Sequence, residues 1–393
     1  MKKTFRKYRQ YSWLFFTALA FPLFGVGLFN IIIDPYGVFN QKDIPGINHA
    51  KVKEGDNDRL SKATAITRIQ PITVLLGSSR TKQGLDPDHP QLAQNQPAYN
   101  LAVNGPNMYE VRRYLEHAIA NQENIKTVVL GVDFFMFNSD LDNQPTFLDA
   151  RLGKRHLIIQ DFINVVFSID AFDSSKETLL ASKKEPYQDD GYGENGFQPN
   201  RKADNGETKW RFEQSIKLYF ELHSDYDFSP QYFADFKEVV KLCEEHNIDL
   251  KVFISPSHAT QWESIQVTGR WEVFEEWKRK LVAVTPVWDF SGYNSVTQEN
   301  IKERMDNYVD NSHYTKPIGD LILNRIFGYE EEQVPEDFGV LLTEENIDIN
   351  LAKIRQERKE WLKNNPDELK LVQNLKQQQE AKQNPPTTNN KPS

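Results

Sequence analysis

The chain has 393 residues, 26% of them charged and 12% aromatic, a composition that folds rather than staying disordered and that fills two domains or one large one. Its single cysteine, Cys243, excludes an intramolecular disulfide framework and a cysteine-rich metal site. A formal charge of −9 argues against nucleic acid as a partner, which would call for a basic footprint.

That charge is unevenly spread. Lys2, Lys3, Arg6, Lys7 and Arg9 precede any acid, and Trp13 to Ile33 then carries no formal charge. At about 1.5 Å per residue this apolar run spans roughly 30 Å, the thickness of a bilayer core. We expect an uncleaved transmembrane anchor over residues 13–33, with the basic residues 1–12 cytoplasmic and the main domain extracytoplasmic. A cleavable signal peptide is the alternative, but its apolar region would be shorter and end in small residues. Taking the +5 of residues 1–33 from −9 leaves −14 for the remainder. Such a body is not expected to adhere non-specifically to anionic polymers or lipid surfaces.

Residues 34–70 read as a polar connector with a helix near Arg59–Arg68. Short apolar runs then predict buried strands at Ile72–Leu76, Tyr99–Val103, Thr127–Val132 and Leu250–Ile254, with a weaker one at Val284–Trp288. Helical patterns fall at Met108–Ala120, Pro230–His246, Trp271–Val282 and Pro317–Phe327. The alternation predicts an α/β domain over 71–330, built on a parallel sheet covered on both faces. Residues 138–228 interrupt the rhythm with helical pieces (Ile158–Phe167, Trp210–Leu222) and a Gly/Asp/Asn-rich loop (Gln188–Gly206), and read as an insertion over the active-site end, a lid. A charged helical extension follows over 331–363, and the Gln- and Asn-rich residues 364–393 read as a disordered tail.

In parallel sheets the chemistry gathers beyond the carboxyl ends of the strands. Gly77-Ser78-Ser79-Arg80 follows the first strand, Asn104-Gly105-Pro106-Asn107 the second, and Gly131-Val132-Asp133 closes the third. A serine there can face the N-terminus of the next helix, where backbone N–H groups meet developing negative charge, although helix capping also explains it. Far downstream, Asp310 stands three residues before His313, a spacing that lets a carboxylate orient an imidazole base. Gly105 lets a backbone N–H approach an oxyanion, and a plain turn explains it equally.

Taken together, these four strand ends resemble the SGNH/GDSL hydrolase family over roughly Gly77 to Phe327. The resemblance implies a flavodoxin-like three-layer α/β/α fold, with Ser79 as nucleophile, His313 as base and Asp310 as its orienter. Backbone N–H groups of Ser79 and Gly105 would form the oxyanion hole, with the Asn107 amide as a third donor. Two positions depart from the family: Ser78 stands where its name has Asp, and Asp133 where an Asn donor is expected. An ionised carboxylate only accepts hydrogen bonds, so Asp133 either pairs with Arg80 for structure, is protonated, or leaves a hole of two donors or one completed by Asn107. These departures and the anchor resemble a membrane-anchored envelope branch that includes the proteins of teichoic-acid D-alanylation and alginate O-acetylation.

The expected function is a serine esterase or O-acyltransferase acting on an acylated cell-envelope polymer, without metal or organic cofactor, beside a multispanning membrane acyltransferase. A non-catalytic scaffold that binds polymer or that acyltransferase is the alternative. Arg80, Asp133 and His258 are the expected substrate-binding residues, Arg80 through a carboxylate or phosphate and His258 because it follows the fourth strand. A helix-face salt bridge is the alternative for Arg80, and an alternative base or a surface loop histidine for His258. Asp289, Tyr293 and Asn294 also fall after a strand and could line the cleft, whereas Cys243 reads as a small buried hydrophobe.

Overall fold

The computed structural model describes residues 2–184, 193, 195–199 and 206–383. Within them the chain forms two compact units, one from 2–68 with 146–184 and the other from 69–145 with 193–383.

The first unit opens with α1 (Lys2–Ile33), of which Tyr8–Ile33 is long and apolar enough to be a membrane span or a signal sequence. Its end is tied down. Asn30 is fully buried, donates to the Val166 carbonyl at 3.0 Å and accepts from the Ser175 hydroxyl at 2.9 Å. Asp34 then breaks the helix at φ +48°, and its carboxylate accepts the N–H groups of Val38, Phe39 and Gln41. The expected connector is therefore core. Tyr36, Val38 and Leu60 of α2 (Asp58–Ile69) are buried with Val165, Val166 and Ala171.

The second unit is a six-stranded sheet, parallel except at one edge. Its strands are β1 (Thr73–Leu76), β2 (Ala98–Asn100), β3 (Thr127–Val132), β4 (Asp249–Ile254), β5 (Val287–Asp289) and β6 (Val340–Leu342), in the order β2-β1-β3-β4-β5-β6. β1 and β3 are buried along their whole length, as continuous apolar runs require when both faces are covered. They pair in register, Leu75 opposite Val129. The fifth strand begins three residues later than its apolar run suggested, and β6, antiparallel to it with Trp288 opposite Leu341, lies inside the expected charged extension.

The strands alternate with α3 (Ser79–Gly84), α4 (Met108–Asn121), α8 (Pro230–Glu245), α9 (Ala259–Val267), α10 (Trp271–Val282) and α11 (Lys316–Phe327). Their ends carry the expected chemistry. Ser229 caps α8 ahead of Pro230, and Gly328 closes α11 at φ +63°.

Two expectations are corrected. The insertion 138–228 is not one piece: α5 (Ile159–Phe167) and α6 (Ile169–Ser182) belong to the first unit, whereas α7 (Glu207–Ser224) packs on α9 in the second. Most of the Gly/Asp/Asn-rich loop lies outside the described residues. The expected tail is helical where it is described: α12 (Ile347–Asn364) is followed by α13 (Pro366–Gln383), whose Val372 and Leu375 are buried against Ile216 and Phe220 of α7. Spaced three apart, those two residues give a polar helix one apolar edge.

Candidate functional site

The turn between β1 and α3 is forced by close packing. Gly77 sits at φ +144°, and a Cβ there would stand 2.4 Å from the Thr81 hydroxyl and 2.8 Å from the Gly131 carbonyl. The two serines that follow divide the work. Ser78 caps α3, accepting from the Arg80 N–H at 3.2 Å while its hydroxyl donates to Asp133. Ser79, the first helical residue, points instead to His313.

Its hydroxyl lies 2.8 Å from His313 Nε2, and His313 Nδ1 lies 2.8 Å from an Asp310 carboxylate oxygen. The other Asp310 oxygen accepts the backbone N–H groups of Ser312 at 2.7 Å and His313 at 2.8 Å. Both side chains keep a solvent-facing edge, 22% for His313 and 19% for Asp310. Burial alone would raise the Asp310 carboxyl, but the His313 charge and hydrogen bonds from His313 and Ser312 outweigh it and hold it below the usual value. The carboxylate thus stays ionised and favours a proton on Nδ1, leaving Nε2 to accept from Ser79.

The helices behind these loops meet backbone to backbone. A Cβ on Gly319 of α11 would fall 1.8 Å from the Gly84 carbonyl oxygen of α3. Only glycine permits that approach, and it sets the helix after His313 against the helix that starts at Ser79.

A second constellation lies on the buried side of the same two loops. The Arg80 guanidinium donates to Asp133 at 2.7 Å, to the Ser312 hydroxyl at 2.9 Å and to the Tyr219 hydroxyl at 3.0 Å. The Tyr219 and Ser312 hydroxyls are 2.7 Å apart. Burial works against the Arg80 charge, but Asp133 and Tyr219 more than offset it and its pKa lies above the ordinary value. Arg80 is therefore committed inside the domain with Asp133, the structural pairing expected for that carboxylate, and the expectation that these two side chains contact substrate is corrected.

Two further expectations are corrected. The Asn107 side chain caps α4 by accepting the Glu110 N–H at 3.0 Å, and its amide donates to Leu141, Asn143 and Tyr232, so it is no oxyanion donor in this arrangement. His258 is buried as the cap of α9, its Nδ1 accepting the Thr260 N–H at 3.2 Å and its Nε2 donating to the Glu299 carbonyl at 2.6 Å. Burial pushes its pKa down to about 4, which keeps it neutral. It supports the site indirectly, since its backbone N–H reaches the Asn311 carbonyl at 3.1 Å.

Gly105 adopts φ +51°, a Cβ there would meet the Gln144 amide nitrogen at 3.7 Å, and its carbonyl accepts from that amide at 3.2 Å. Asp289 is paired with buried Lys278 at 2.8 Å, Tyr293 donates to Glu263, and Asn294 closes its own turn, so these positions are spoken for. Cys243 is buried, and burial pushes its thiol up to about 12. Among the described residues no group of three or more His, Cys, Asp or Glu side chains could hold a metal ion.

The reading of the residues missed Ser312 and Tyr219. Ser312 had a signal, its place beside His313; Tyr219 had none, being brought in by α7 from 139 residues past Arg80. No family model matches the chain, and no curated protein matches it.

Proposed function

We propose that the protein is a serine esterase or O-acyltransferase of SGNH type that works on an acylated envelope polymer from a membrane anchor. The observation that carries this reading is the unbroken hydrogen-bonded chain Asp310–His313–Ser79 at the strand ends of a mostly parallel sheet. The order β2-β1-β3-β4-β5 of the parallel strands agrees with the flavodoxin-like arrangement that the resemblance implies. The anchor is supported by Asn30, because removing α1 as a signal would strip Val166 and Ser175 of buried hydrogen-bond partners.

In this mechanism His313 Nε2 takes the Ser79 proton as the oxygen attacks an ester carbonyl. Asp310 holds the ring and stabilises the imidazolium that forms. The oxyanion is met by the Ser79 and Gly105 backbone N–H groups, a hole of two donors, since Asn107 and Asp133 are engaged elsewhere. His313 then returns the proton to the departing alcohol, leaving an acyl group on Ser79. Water or a sugar hydroxyl takes up that acyl group with His313 again as base.

Hydrolysis of 4-nitrophenyl acetate by the full-length protein in detergent tests the proposal. Ser79→Ala and His313→Ala should each lower the rate by about 10³-fold or more. A fluorophosphonate should label the wild type at Ser79 alone. Equal hydrolysis by wild type and Ser79→Ala, with no labelling, would sink the reading and leave a binding scaffold.

A further inference from the structure

We propose that α5 is a second membrane-contact element, lying in the bilayer interface beside the end of α1. It belongs entirely to the first unit and rests on reading α1 as a membrane span. Two faces of α5 differ sharply. Val165 and Val166 are buried against Tyr36, Val38 and Leu60, whereas Ile159 is 78% exposed and Ile163 51%, with Phe162 and Phe167 exposed between and beyond them. Ile169, which opens α6, is also 78% exposed. The one charged residue of α5, Asp161, is turned inward, where Arg151 holds both its oxygens at 2.8 Å. The outward face thus presents Ile159, Phe162, Ile163 and Phe167 with only the uncharged Gln160 and Asn164 among them, and carries no formal charge. A patch of this kind is rare on surfaces that face water.

Its height relative to α1 follows from three contacts. A Cβ on Gly27 would stand 2.8 Å from the Phe167 ring, the Asn30 amide reaches the Val166 carbonyl, and the Phe29 and Phe172 rings lie 5.6 Å apart. Gly27 and Asn30 precede the end of α1 at Ile33 by six and three residues, which is roughly 9 and 5 Å at a helical rise of 1.5 Å. That is the depth, about 5–10 Å, at which an interfacial helix buries its apolar face. Lipid around α1 at that level would also meet Ile163 and Phe167. Just before α5, Lys154, Arg155 and His156 are exposed in succession, so a cationic step adjoins the apolar face. This order suits anionic headgroups above and acyl chains below. The occupant is therefore the lipid bilayer, with anionic lipid favoured at Lys154 and Arg155.

The test uses the full chain in vesicles of phosphatidylcholine with 30% phosphatidylglycerol (about; a composition chosen to supply surface charge). In a Cys243→Ala background, single cysteines Ile163→Cys and Leu180→Cys are labelled with bimane, and quenching by a nitroxide-bearing lipid is read. Leu180 is exposed too, but it lies eleven residues, roughly 16 Å, along α6 from Ile169, near Ser182, whose hydroxyl accepts from the Ala50 N–H. Quenching several-fold stronger at 163 than at 180 is the expected result. Should Ile163→Cys fail to fold, Asn164→Cys at an exposed polar position of α5 gives the same reading. Equal, weak quenching at both sites with a water-soluble quencher reaching both would overturn the proposal, including the case in which a protein partner covers that face in the cell. Lys154→Glu with Arg155→Glu should weaken the quenching at 163 when the anionic lipid is present and leave it unchanged in phosphatidylcholine alone; no difference between lipids overturns the headgroup preference.

Discussion

Ser79 and Arg80 are sequence neighbours, and so are Ser312 and His313, yet the members of each pair serve opposite environments. Ser79 and His313 meet at a partly open edge, while Arg80 and Ser312 meet with Asp133 and Tyr219 in the interior. One constellation has room for a substrate and a proton to transfer. The other gives each of the three guanidinium nitrogens a buried partner. The difference shows how a reactive geometry is held without freezing the reactive groups: two loops, 232 residues apart at Arg80 and Ser312, are pinned through the residues beside the chemistry.

The strongest way to break this comparison is to cut the buried side. Arg80→Met strands Asp133 as an uncompensated buried carboxylate and should cost about 3–5 kcal/mol of stability by denaturant unfolding. Ser79→Ala, at the open edge, should stay within about 0.5 kcal/mol of wild type. Arg80→Lys should not rescue the loss, because an ammonium cannot reproduce the planar fork that reaches three partners. If the two variants unfold at the same denaturant concentration, the buried network is not the support claimed for it.

Acid should probe the buried side next. His258 and His223 are held neutral by burial, with pKa values down at about 4 and about 3, whereas an unfolded chain protonates its histidines near 6.5. Between those values the unfolded state binds more protons, so their contribution is intact above pH about 6.5 and is lost as pH falls toward 4. His258 alone should account for about 3 kcal/mol of that loss, order of magnitude, and His258→Gln should flatten the decline between pH 6.5 and 4.5 in thermal unfolding. A wild type equally stable at both pH values would contradict the burial of these rings.

The smallest effect sharpens the assignment of the oxyanion donors. Asn107→Ala removes a cap and should cost about 1–2 kcal/mol of stability while lowering ester turnover less than about tenfold. Loss of a true oxyanion donor would instead lower kcat by about 10²–10³-fold. A loss on that scale with little change in stability would return Asn107 to the hole.

β1 and β3 were legible because a strand buried on both faces must be written as an uninterrupted apolar run. β6 is an apolar run of only three residues set inside a charged stretch, and its equally short partner β5 begins three residues after the run that suggested it. Ser79, Asp310 and His313 could be read from strand ends and a local spacing of three. The fates of Arg80, Asn107 and His258 could not, since a polar side chain at a loop looks the same whether solvent or distant partners receive it. For Arg80 those partners lie 53, 139 and 232 residues away. The tail misled through composition, because two apolar side chains on one edge suffice to dock a helix whose average is polar.

That docked helix sets an order of events during synthesis. Phe220 and Ile216 leave the ribosome some 150 residues before Val372 and Leu375, which at 5–20 residues per second is a delay of roughly 8–30 s. For that interval the outer side of α7 is an open apolar surface, available to any other exposed chain nearby. A truncation that ends before Pro366 would make the interval permanent, turning a transient hazard of folding into a standing tendency to aggregate.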